Sequence, residues 1–378
     1  GLELGARLLD GGADPGGAEI FSFKLSEYLV KRYKYEISYA CVWKYETRRA
    51  EESKEILERY CENIYDLNKK PDTGFSGILE AVRILGKVIK EGMFDVIISQ
   101  CELPDLLTGM TVAGGIPKVR ILQNSHYWPN YAYAGIITER VYLTRKFDFN
   151  VAVSKSVEQE WSKKYWLKKD KIRIIHNGID DVFFLHGRGR KISADTKKTL
   201  AVVGRFEKQK GHKYFLGALR ELRKIMDLRV KLIGSGSMEK ELRSYVFENK
   251  LGDIVEFCGA VNRDKLITLY KDIDLVVMPS LYEGLSLASL EAMALGVPVA
   301  GSSVAGIIDC VNNKNGTLFS PSDANDLVEK VFGILSDPDR YEAKSLQAMR
   351  DAQAYKYSNI CDEYENLLQH LLGKYSKS

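Results

Sequence analysis

The chain has 378 residues, 28% of them charged and 45% hydrophobic, an ordinary globular composition that excludes disordered, collagenous and coiled-coil classes. Its 55 Lys and Arg residues against 51 Asp and Glu give a net charge of +4, too balanced for a dedicated nucleic-acid-binding protein. No stretch approaches the roughly 18 consecutive apolar residues of a membrane span, and the length suits two domains of about 150–200 residues each.

In the first half of the chain, short apolar runs alternate with stretches of helical periodicity. The predicted strands are 36–43, 94–100, 118–124, 149–153 and 172–176. The predicted helices are 19–33, 47–63, 76–92 and 155–165. Strand followed by helix, with β-branched residues in the strands, is typical of a parallel, doubly wound sheet.

A second series with the same alternation follows. Its predicted strands are 199–204, 229–233, 253–258, 275–279 and 297–300, and its helices are 212–226, 238–249, 264–271 and 287–295. The fold class is therefore α/β, with two Rossmann-like domains. We predict an N-terminal domain over 1–178, a linker over 179–197, a C-terminal domain over 198–355, and a helix over 356–378 that packs back on the first domain.

The segment 279–300 (PSLYEGLSLASLEAMALGVPVA) carries the strongest signal for chemistry. A loop with Glu283 follows a strand, Ser286 is placed to cap the next helix, and Gly296 is placed to end it. A helix N-terminus at the carboxyl end of a parallel strand attracts anions. Glu283 beside it would repel a phosphate and must face hydroxyl donors, and Glu291 could accept hydrogen bonds from ribose hydroxyls. Two solvated glutamates flanking a helix remain the alternative.

Three further segments place glycines or cations where strands end. In VVGRFEKQKGHK (202–213), Arg205 and Lys210 suit a diphosphate, although without further context ordinary surface charge is the favoured explanation. In DPGGAE (14–19) and LIGSGSMEKEL (232–242), glycines precede a helix, so backbone N–H groups could approach a phosphate. Each glycine pattern is weak evidence by itself.

Taken together in chain order, these segments resemble glycosyltransferase family 4, whose members have the two-domain GT-B fold. YEGLSLASLEAMALGVPVA resembles the family's E-x7-E signature, GRFEKQKG its Arg…Lys phosphate clamp, GSGSMEKEL its Gly-x-Gly segment and GGAE its N-terminal glycine loop. VAVSKSV and IHNGID resemble the segments that close the first domain. The family's first strand normally precedes the glycine loop, and the opening GLELGARLLDGG leads us to expect that this strand is missing here.

The resemblance implies a nucleotide-sugar donor bound mainly by the second domain, in a cleft between the two. Arg205 and Lys210 would hold the diphosphate and stabilise the leaving group. Glu291 would bind the ribose, and Glu283 the transferred sugar. His126 would bind a sugar hydroxyl or handle a proton, although a lone histidine after a strand is more often structural. The remaining implied donor contacts are Gly16, Gly17, Gly204, Gly234, Cys258, Gly284, Leu285 and Ser286.

The resemblance further implies a retaining reaction without a metal or other cofactor, transferring a hexose-type sugar to a glycan, lipid or small-molecule hydroxyl by same-face substitution. Asp272-Ile273-Asp274 spells a D-x-D motif, but it precedes a strand, away from the ligand edge, and we predict a structural role. A same-fold epimerase, a phosphorylase and a catalytically silent sugar-nucleotide-binding protein are the competing functions.

Two features bear on location. The six cysteines contain no C-x-x-C pair, which favours free thiols in a reducing compartment and a cytoplasmic protein. The segment 161–171 (WSKKYWLKKDK) mixes lysines with aromatic residues and could contact an anionic membrane, so the inner face of the membrane stays open as a location. A solvated helix face is the alternative explanation.

Overall fold

A computed structural model describes residues 5–10, 17–43, 55, 57–69, 74–123, 138–193 and 196–375. The chain divides into two compact units: unit 1 comprises 1–178 with 358–378, and unit 2 comprises 179–357. The segment 179–197, predicted as a linker, belongs to unit 2 and contains a short helix. No helix in the described part of the chain is both long and apolar enough to cross a bilayer.

Unit 1 is built on a parallel sheet with the strand order β3-β2-β1-β4-β5-β6-β7. The strands are β1 (Gly5–Asp10), β2 (Glu36–Trp43), β3 (Asn63–Lys69), β4 (Val96–Gln100), β5 (Lys118–Leu122), β6 (Phe149–Ala152) and β7 (Ile172–Ile174). The helices are α1 (Gly17–Tyr33), α2 (Gly74–Glu91), α3 (Glu102–Met110) and α4 (Lys155–Lys164), with a π-helical turn (Glu139–Leu143) continued by Thr144–Lys146.

The prediction that the first strand is missing is wrong. Residues Gly5–Asp10 form β1, which pairs in parallel with β2 on one side and β4 on the other. Its sequence, GARLLD, has too few apolar residues to show a clear strand pattern. The strand is recognisable only from its pairing with its neighbours in the sheet. The strand β3, which begins at Asn63 where the predicted helix 47–63 ends, was also not predicted.

Unit 2 contains the second parallel sheet, with the order β10-β9-β8-β11-β12-β13. Its strands are β8 (Lys198–Val203), β9 (Leu228–Ile233), β10 (Val255–Gly259), β11 (Leu275–Met278), β12 (Val299–Ser302) and β13 (Gly316–Phe319). Its helices are α5 (Val182–Leu185), α6 (His212–Ile225), α7 (Glu239–Glu248), α8 (Arg263–Tyr270), α9 (Leu287–Ala294), α10 (Ala324–Leu335) and α11 (Pro338–Ala352).

The unit 2 core lies between this sheet and its helices. Helix α6 buries Phe215, Leu216, Leu219 and Leu222, at the spacing of one helix face, against β8 and β9. Each such side chain contributes about 1.5–3 kcal/mol on burial, so the packing fixes where the loop before α6 lies. That loop carries Lys210.

The last helix, α12 (Tyr357–Tyr375), packs within unit 1 against α1. The Tyr33 hydroxyl donates to Asp362 Oδ1 at 2.6 Å, and the rings of Phe21 and Tyr364 lie 5.6 Å apart. The helix therefore completes the unit in which the chain begins, although unit 2 separates the two parts in sequence.

A buried ion pair organises the other end of unit 1. Arg120 of β5 and Glu139 are both fully buried, with Arg120 Nη1 and Glu139 Oε1 2.6 Å apart. The Arg120 guanidinium also lies 4.9 Å from the Phe147 ring and 4.7 Å from that of Trp161. Burial raises the pKa of Glu139 although Arg120 opposes the shift. The pair ties the π-helical turn to β5 and α4, because breaking a buried pair is strongly unfavourable.

Candidate functional site

The candidate site of unit 2 lies at the carboxyl edge of its sheet, where the strand order reverses. The strands β8 and β11 are neighbours in the sheet, and their following connections run to opposite sides, which creates a crevice where ligands bind in doubly wound folds. The loop 204–211 follows β8 and the loop 279–286 follows β11. The two segments with the strongest sequence signals therefore flank the same crevice.

Lys210 and Glu283 meet in this crevice. Lys210 Nζ lies 2.6 Å from Glu283 Oε1, and the two side chains are only 19% and 7% exposed. Ser280 Oγ donates to the same carboxylate oxygen at 2.8 Å. The aliphatic part of Lys210 packs over Gly204, where an added Cβ would lie 3.6 Å from Lys210 Cδ. The site thus pairs a cation suited to phosphate with an acid suited to hydroxyl donors.

Backbone contacts hold the two loops together. Leu281 N donates to Gln209 O at 2.8 Å, and Gln209 Nε2 donates to Tyr282 O at 2.9 Å. Below them, Ser302 Oγ of β12 donates to Ser280 O at 2.5 Å. The loop after β8 and the end of β12, on either side of β11, therefore fix the position of the loop that carries Glu283.

Gly306 sits directly beneath Glu283 and has a left-handed φ of 78°. A Cβ at this position would lie 2.7 Å from the carbonyl carbon and oxygen of Glu283 and 2.8 Å from its Cβ. Only glycine allows both this backbone conformation and this approach. The glycine therefore lets the loop after β12 support the acid.

Replacing Gly306 with Ala should destabilise the protein by about 1–3 kcal/mol and lower turnover, because the methyl group must displace Glu283. Urea unfolding and kinetic assay of the same preparation measure the two effects. Gly252→Ala is the control, since its added Cβ meets nothing within 4 Å. Equal behaviour of the two variants would contradict this role for Gly306.

Helix α9 begins and ends as the sequence predicts. Ser286 is the N-cap, and its hydroxyl accepts from Ser289 N at 3.3 Å. The helix ends before Gly296, which has a φ of 77°. Gly284, Leu285 and Ser286 are all buried in the turn before the helix. The helix N-terminus therefore adjoins Glu283 at the crevice.

Glu291 lies on α9 and is partly buried. Burial raises its pKa to about 8, and the carboxylate of Asp180 adds to the shift. Asp180 itself is paired with Arg263. A carboxyl with this pKa is mostly protonated at neutral pH, and hydrogen-bond donors would favour its ionised form.

The other predicted donor-site residues of unit 2 lie at the same edge of the sheet. Gly234 follows β9 with a φ of 147°, and a Cβ there would lie 1.9 Å from Gly204 O, so the ends of β8 and β9 touch. Arg205 is exposed on the loop after β8. Cys258 is the second-to-last residue of β10, and burial together with the nearby Glu256 raises the pKa of its thiol. Residues at or after the ends of β8, β9, β10, β11 and β12 thus lie together at the carboxyl edge of the sheet.

Of the site residues predicted in unit 1, only some lie among the residues that the structure describes. Gly17 begins α1, whereas Gly16 and His126 lie outside the described residues. At the carboxyl edge of this sheet, buried amides form a chain that was not predicted: Gln123 Nε2 donates to Gln100 Oε1 at 3.0 Å, and Asn177 Nδ2 donates to Gln123 Oε1 at 2.7 Å. Gln100 Nε2 continues the chain to Ser22 Oγ of α1.

Asp274, the second acid of the D-x-D motif, has a structural role. Asp274 Oδ2 accepts from Thr199 N at 2.8 Å, and Asp274 N donates to Thr199 O at 2.8 Å, at the amino edge of β8 and β11. The motif lies at the opposite edge of the sheet from the crevice. Its carboxylate is occupied in joining two strands.

Sequence reasoning missed three residues of the site. Ser280 and Gly306 act through Glu283, but a single serine and a single glycine carry no pattern. His212, the first residue of α6, is 2% exposed, and both ring nitrogens are buried without a hydrogen-bond partner. Burial lowers its pKa to about 4, with Lys210 adding to the shift, so it is neutral beside the cation.

Two family models match the chain. The model described as Glycosyltransferase Family 4 matches residues 15–183, and the model described as Glycosyl transferases group 1 matches residues 188–354. An uncharacterized glycosyltransferase of Methanocaldococcus jannaschii is 32% identical over 57% of this chain and 58% of its own length. A second uncharacterized glycosyltransferase of the same organism is 26% identical over 82% of this chain and 83% of its own length. The first match thus spans little more than half of that relative.

Solved structures match almost the whole chain. Anabaena HepE, solved in complex with UDP and glucose, has a TM-score of 0.80 at 17% identity and covers 97% of this chain and 100% of its own. Sucrose-phosphate synthase from Thermosynechococcus elongatus has a TM-score of 0.80 at 19% identity, covering 98% and 100%. At this identity the likeness concerns the fold, and it confirms the predicted GT-B fold with two Rossmann-like domains.

Proposed function

Given that this chain belongs to the glycosyltransferases of the family-4 type, we propose that it transfers a hexose-type sugar from a nucleotide-diphosphate donor to an acceptor hydroxyl. The ion pair of Lys210 and Glu283 at the crevice of unit 2 carries this proposal. A nucleotide-sugar has a diphosphate beside a ring of hydroxyls, and this pair offers a cation for the first and an acceptor for the second.

The chemistry of donor cleavage needs stabilisation of the departing phosphate. Negative charge grows on the phosphate oxygen as the glycosidic bond breaks, and Lys210, Arg205 and the N-terminus of α9 would stabilise it. Once Lys210 binds phosphate, Glu283 loses its partner and can accept hydrogen bonds from sugar hydroxyls. Glu291 would accept hydrogen bonds from the ribose.

For the transfer step we propose same-face substitution with retention and without a metal. The acceptor oxygen bonds to the anomeric carbon while the bond to the phosphate oxygen breaks, and the acceptor proton passes to that departing oxygen. Glu283, which keeps the hydrogen bond from Ser280 after Lys210 has turned to the phosphate, is assigned to sugar binding rather than to attack on the anomeric carbon. Trapping a covalent glycosyl-enzyme with a slow donor would contradict this step.

The acceptor in this proposal is a hydroxyl of a glycan, a lipid or a small molecule. The proposed location is the cytoplasm or the inner face of the membrane, supported by the dispersed free cysteines. The solved complexes of Anabaena HepE with UDP and with UDP-glucose make uridine diphosphate sugars the first donors to test.

A panel of UDP-, GDP- and ADP-sugars tests the function. Slow hydrolysis of one donor should release the free nucleotide without any acceptor, and the rate should be unchanged in excess EDTA. The released sugar or product should keep the anomeric configuration of the donor by NMR. Binding of a nucleotide-sugar without turnover would instead support a catalytically silent sugar-nucleotide-binding protein. Conversion of one nucleotide-sugar into its epimer would support an epimerase.

A further inference from the structure

The loops at the amino edge of the unit 1 sheet form a continuous surface that the proposed chemistry does not use. Strands β4, β5, β6 and β7 are consecutive, parallel neighbours, so the loops that precede them emerge on one edge. At about 4.8 Å per strand, these four loops lie within roughly 15 Å of one another. We call this surface, formed by residues 92–95, 111–117, 147–148 and 165–171 with the adjoining helix ends, the basic edge.

Three large apolar side chains stand out from the basic edge. Met93, before β4, is 98% exposed; Val112, before β5, is 89% exposed; and Trp166, before β7, is 68% exposed. Met93 and Val112 line one groove of about 730 Å³, and Val112 shares an adjoining groove of about 390 Å³ with Lys146, before β6. The apolar residues therefore belong to neighbouring loops of one surface.

Trp166 is held in its exposed position. It has a φ of 58°, a backbone conformation that bulky residues rarely adopt without support. The Arg140 guanidinium lies 4.2 Å from the Trp166 ring, and Arg140 Nε donates to Lys164 O at 2.6 Å. Arg140 follows Glu139 in the π-helical turn that the buried pair with Arg120 fixes. The exposure of this tryptophan is thus built into the fold.

Exposed cations surround these apolar side chains. In the four loops and the adjoining helix ends, the exposed basic residues are Lys90, Arg145, Lys146, Lys163, Lys168 and Lys169. The exposed acids on the same segments are Glu91, which lies 3.7 Å from Lys87, and Asp170. Asp95 and Asp148, in the loops before β4 and β6, are partly exposed, so the cations still outnumber the acids and the basic edge is positive although the whole chain is nearly neutral.

We propose that the basic edge docks the chain on the surface of an anionic lipid bilayer. Lysines close to such a surface are attracted to its headgroups, tryptophan favours the interface, and short apolar side chains enter the acyl boundary. A nucleic acid or an acidic protein strand would satisfy the lysines but would leave Met93 and Val112 in water. The docking does not depend on the proposed transfer reaction.

Sedimentation with vesicles tests the docking. The full chain should pellet with vesicles of phosphatidylglycerol and phosphatidylcholine at 150 mM salt, and should stay in the supernatant with pure phosphatidylcholine vesicles. Lys168→Glu with Lys169→Glu should weaken the binding by about 25-fold or more. Trp166→Ser, and separately Met93→Ser with Val112→Ser, should each weaken it by about tenfold.

Matched variants in unit 2 separate a specific surface from general charge. Lys240→Glu with Lys314→Glu changes the net charge equally, and Phe247→Ser removes a side chain that is 85% exposed; both should bind vesicles as the parent chain does. All variants should keep the parent's melting temperature and donor hydrolysis in solution. Equal loss in the control variants, absence of vesicle binding, or binding to single-stranded RNA in preference to vesicles would overturn the proposal.

Discussion

Replacing Lys210 with Ala is expected to lower kcat/KM by about 10²–10³-fold, the cost of removing one donor that stabilises developing charge. The same change leaves Glu283, 7% exposed, without the ammonium group 2.6 Å away, so the melting temperature should fall as well. Steady-state release of nucleotide from the preferred donor, measured on protein shown to be folded at the assay temperature, gives the kinetic effect.

Two companion variants separate catalysis from stability. Lys210→Met with Glu283→Gln removes both charges, so it should recover much of the lost stability without recovering turnover. Lys213→Ala is the matched control, because Lys213 is 62% exposed on α6 and its ion pair is with Glu241, which is 52% exposed. If the double variant regained turnover together with stability, Lys210 would be structural and its assignment to the diphosphate wrong.

Much of the fold was predictable because a parallel sheet buries both faces of its strands. The segments Lys118–Leu122, Val96–Gln100 and Leu275–Met278 are buried throughout, and their β-branched and other apolar residues were recognised as strands although the first two also contain polar residues. β3 (Asn63–Lys69) and β13 (Gly316–Phe319) each form an edge of their sheet, and both mix polar and apolar residues. Strands of this kind are defined by their partners, which a one-dimensional pattern does not contain.

The sequence could propose the residue types of the candidate site but not the contacts between them. Lys210 and Glu283 are 73 residues apart and meet because β8 and β11 are adjacent, which depends on strand order rather than periodicity. The cap at Ser286 depends on four consecutive residues and was predictable. Ser280 and Gly306 were not, because their role exists only through the position of Glu283. Local chemistry could be read from the sequence, whereas long-range packing needed the structure.

Glu291→Gln is expected to weaken binding of the nucleotide by about 10–100-fold, because a neutral amide replaces a charged acceptor of ribose hydroxyls. Calorimetric titration of UDP, GDP and ADP into the parent and variant measures this. Glu248→Gln on the exposed face of α7 is the control for a general change in charge. Unchanged affinity in Glu291→Gln would show that the ribose assignment is wrong.

The pH dependence gives an independent readout of the same residue. Burial raises the pKa of Glu291 to about 8, so the carboxyl is mostly protonated at pH 7 without nucleotide, and ribose hydroxyls bound as we propose would favour its ionised form. Binding should therefore release a proton, and affinity should rise by up to about tenfold per pH unit below pH 8 and then level off. Titrations in two buffers of different ionisation enthalpy count the released proton.

Stability without nucleotide should change in the opposite direction. Because the folded pKa lies above the unfolded value, the contribution of Glu291 is fully present below pH 4.5 and is lost as pH rises through about 8. Glu291→Gln, which cannot ionise, should flatten that part of the stability profile in urea unfolding across this window. A parent profile that stays flat from pH 5 to 8 would mean that the carboxyl ionises freely, and binding would then release no proton. If Glu291 binds the ribose, stability should fall and nucleotide affinity should rise over the same pH range. Glu291→Gln should abolish both trends.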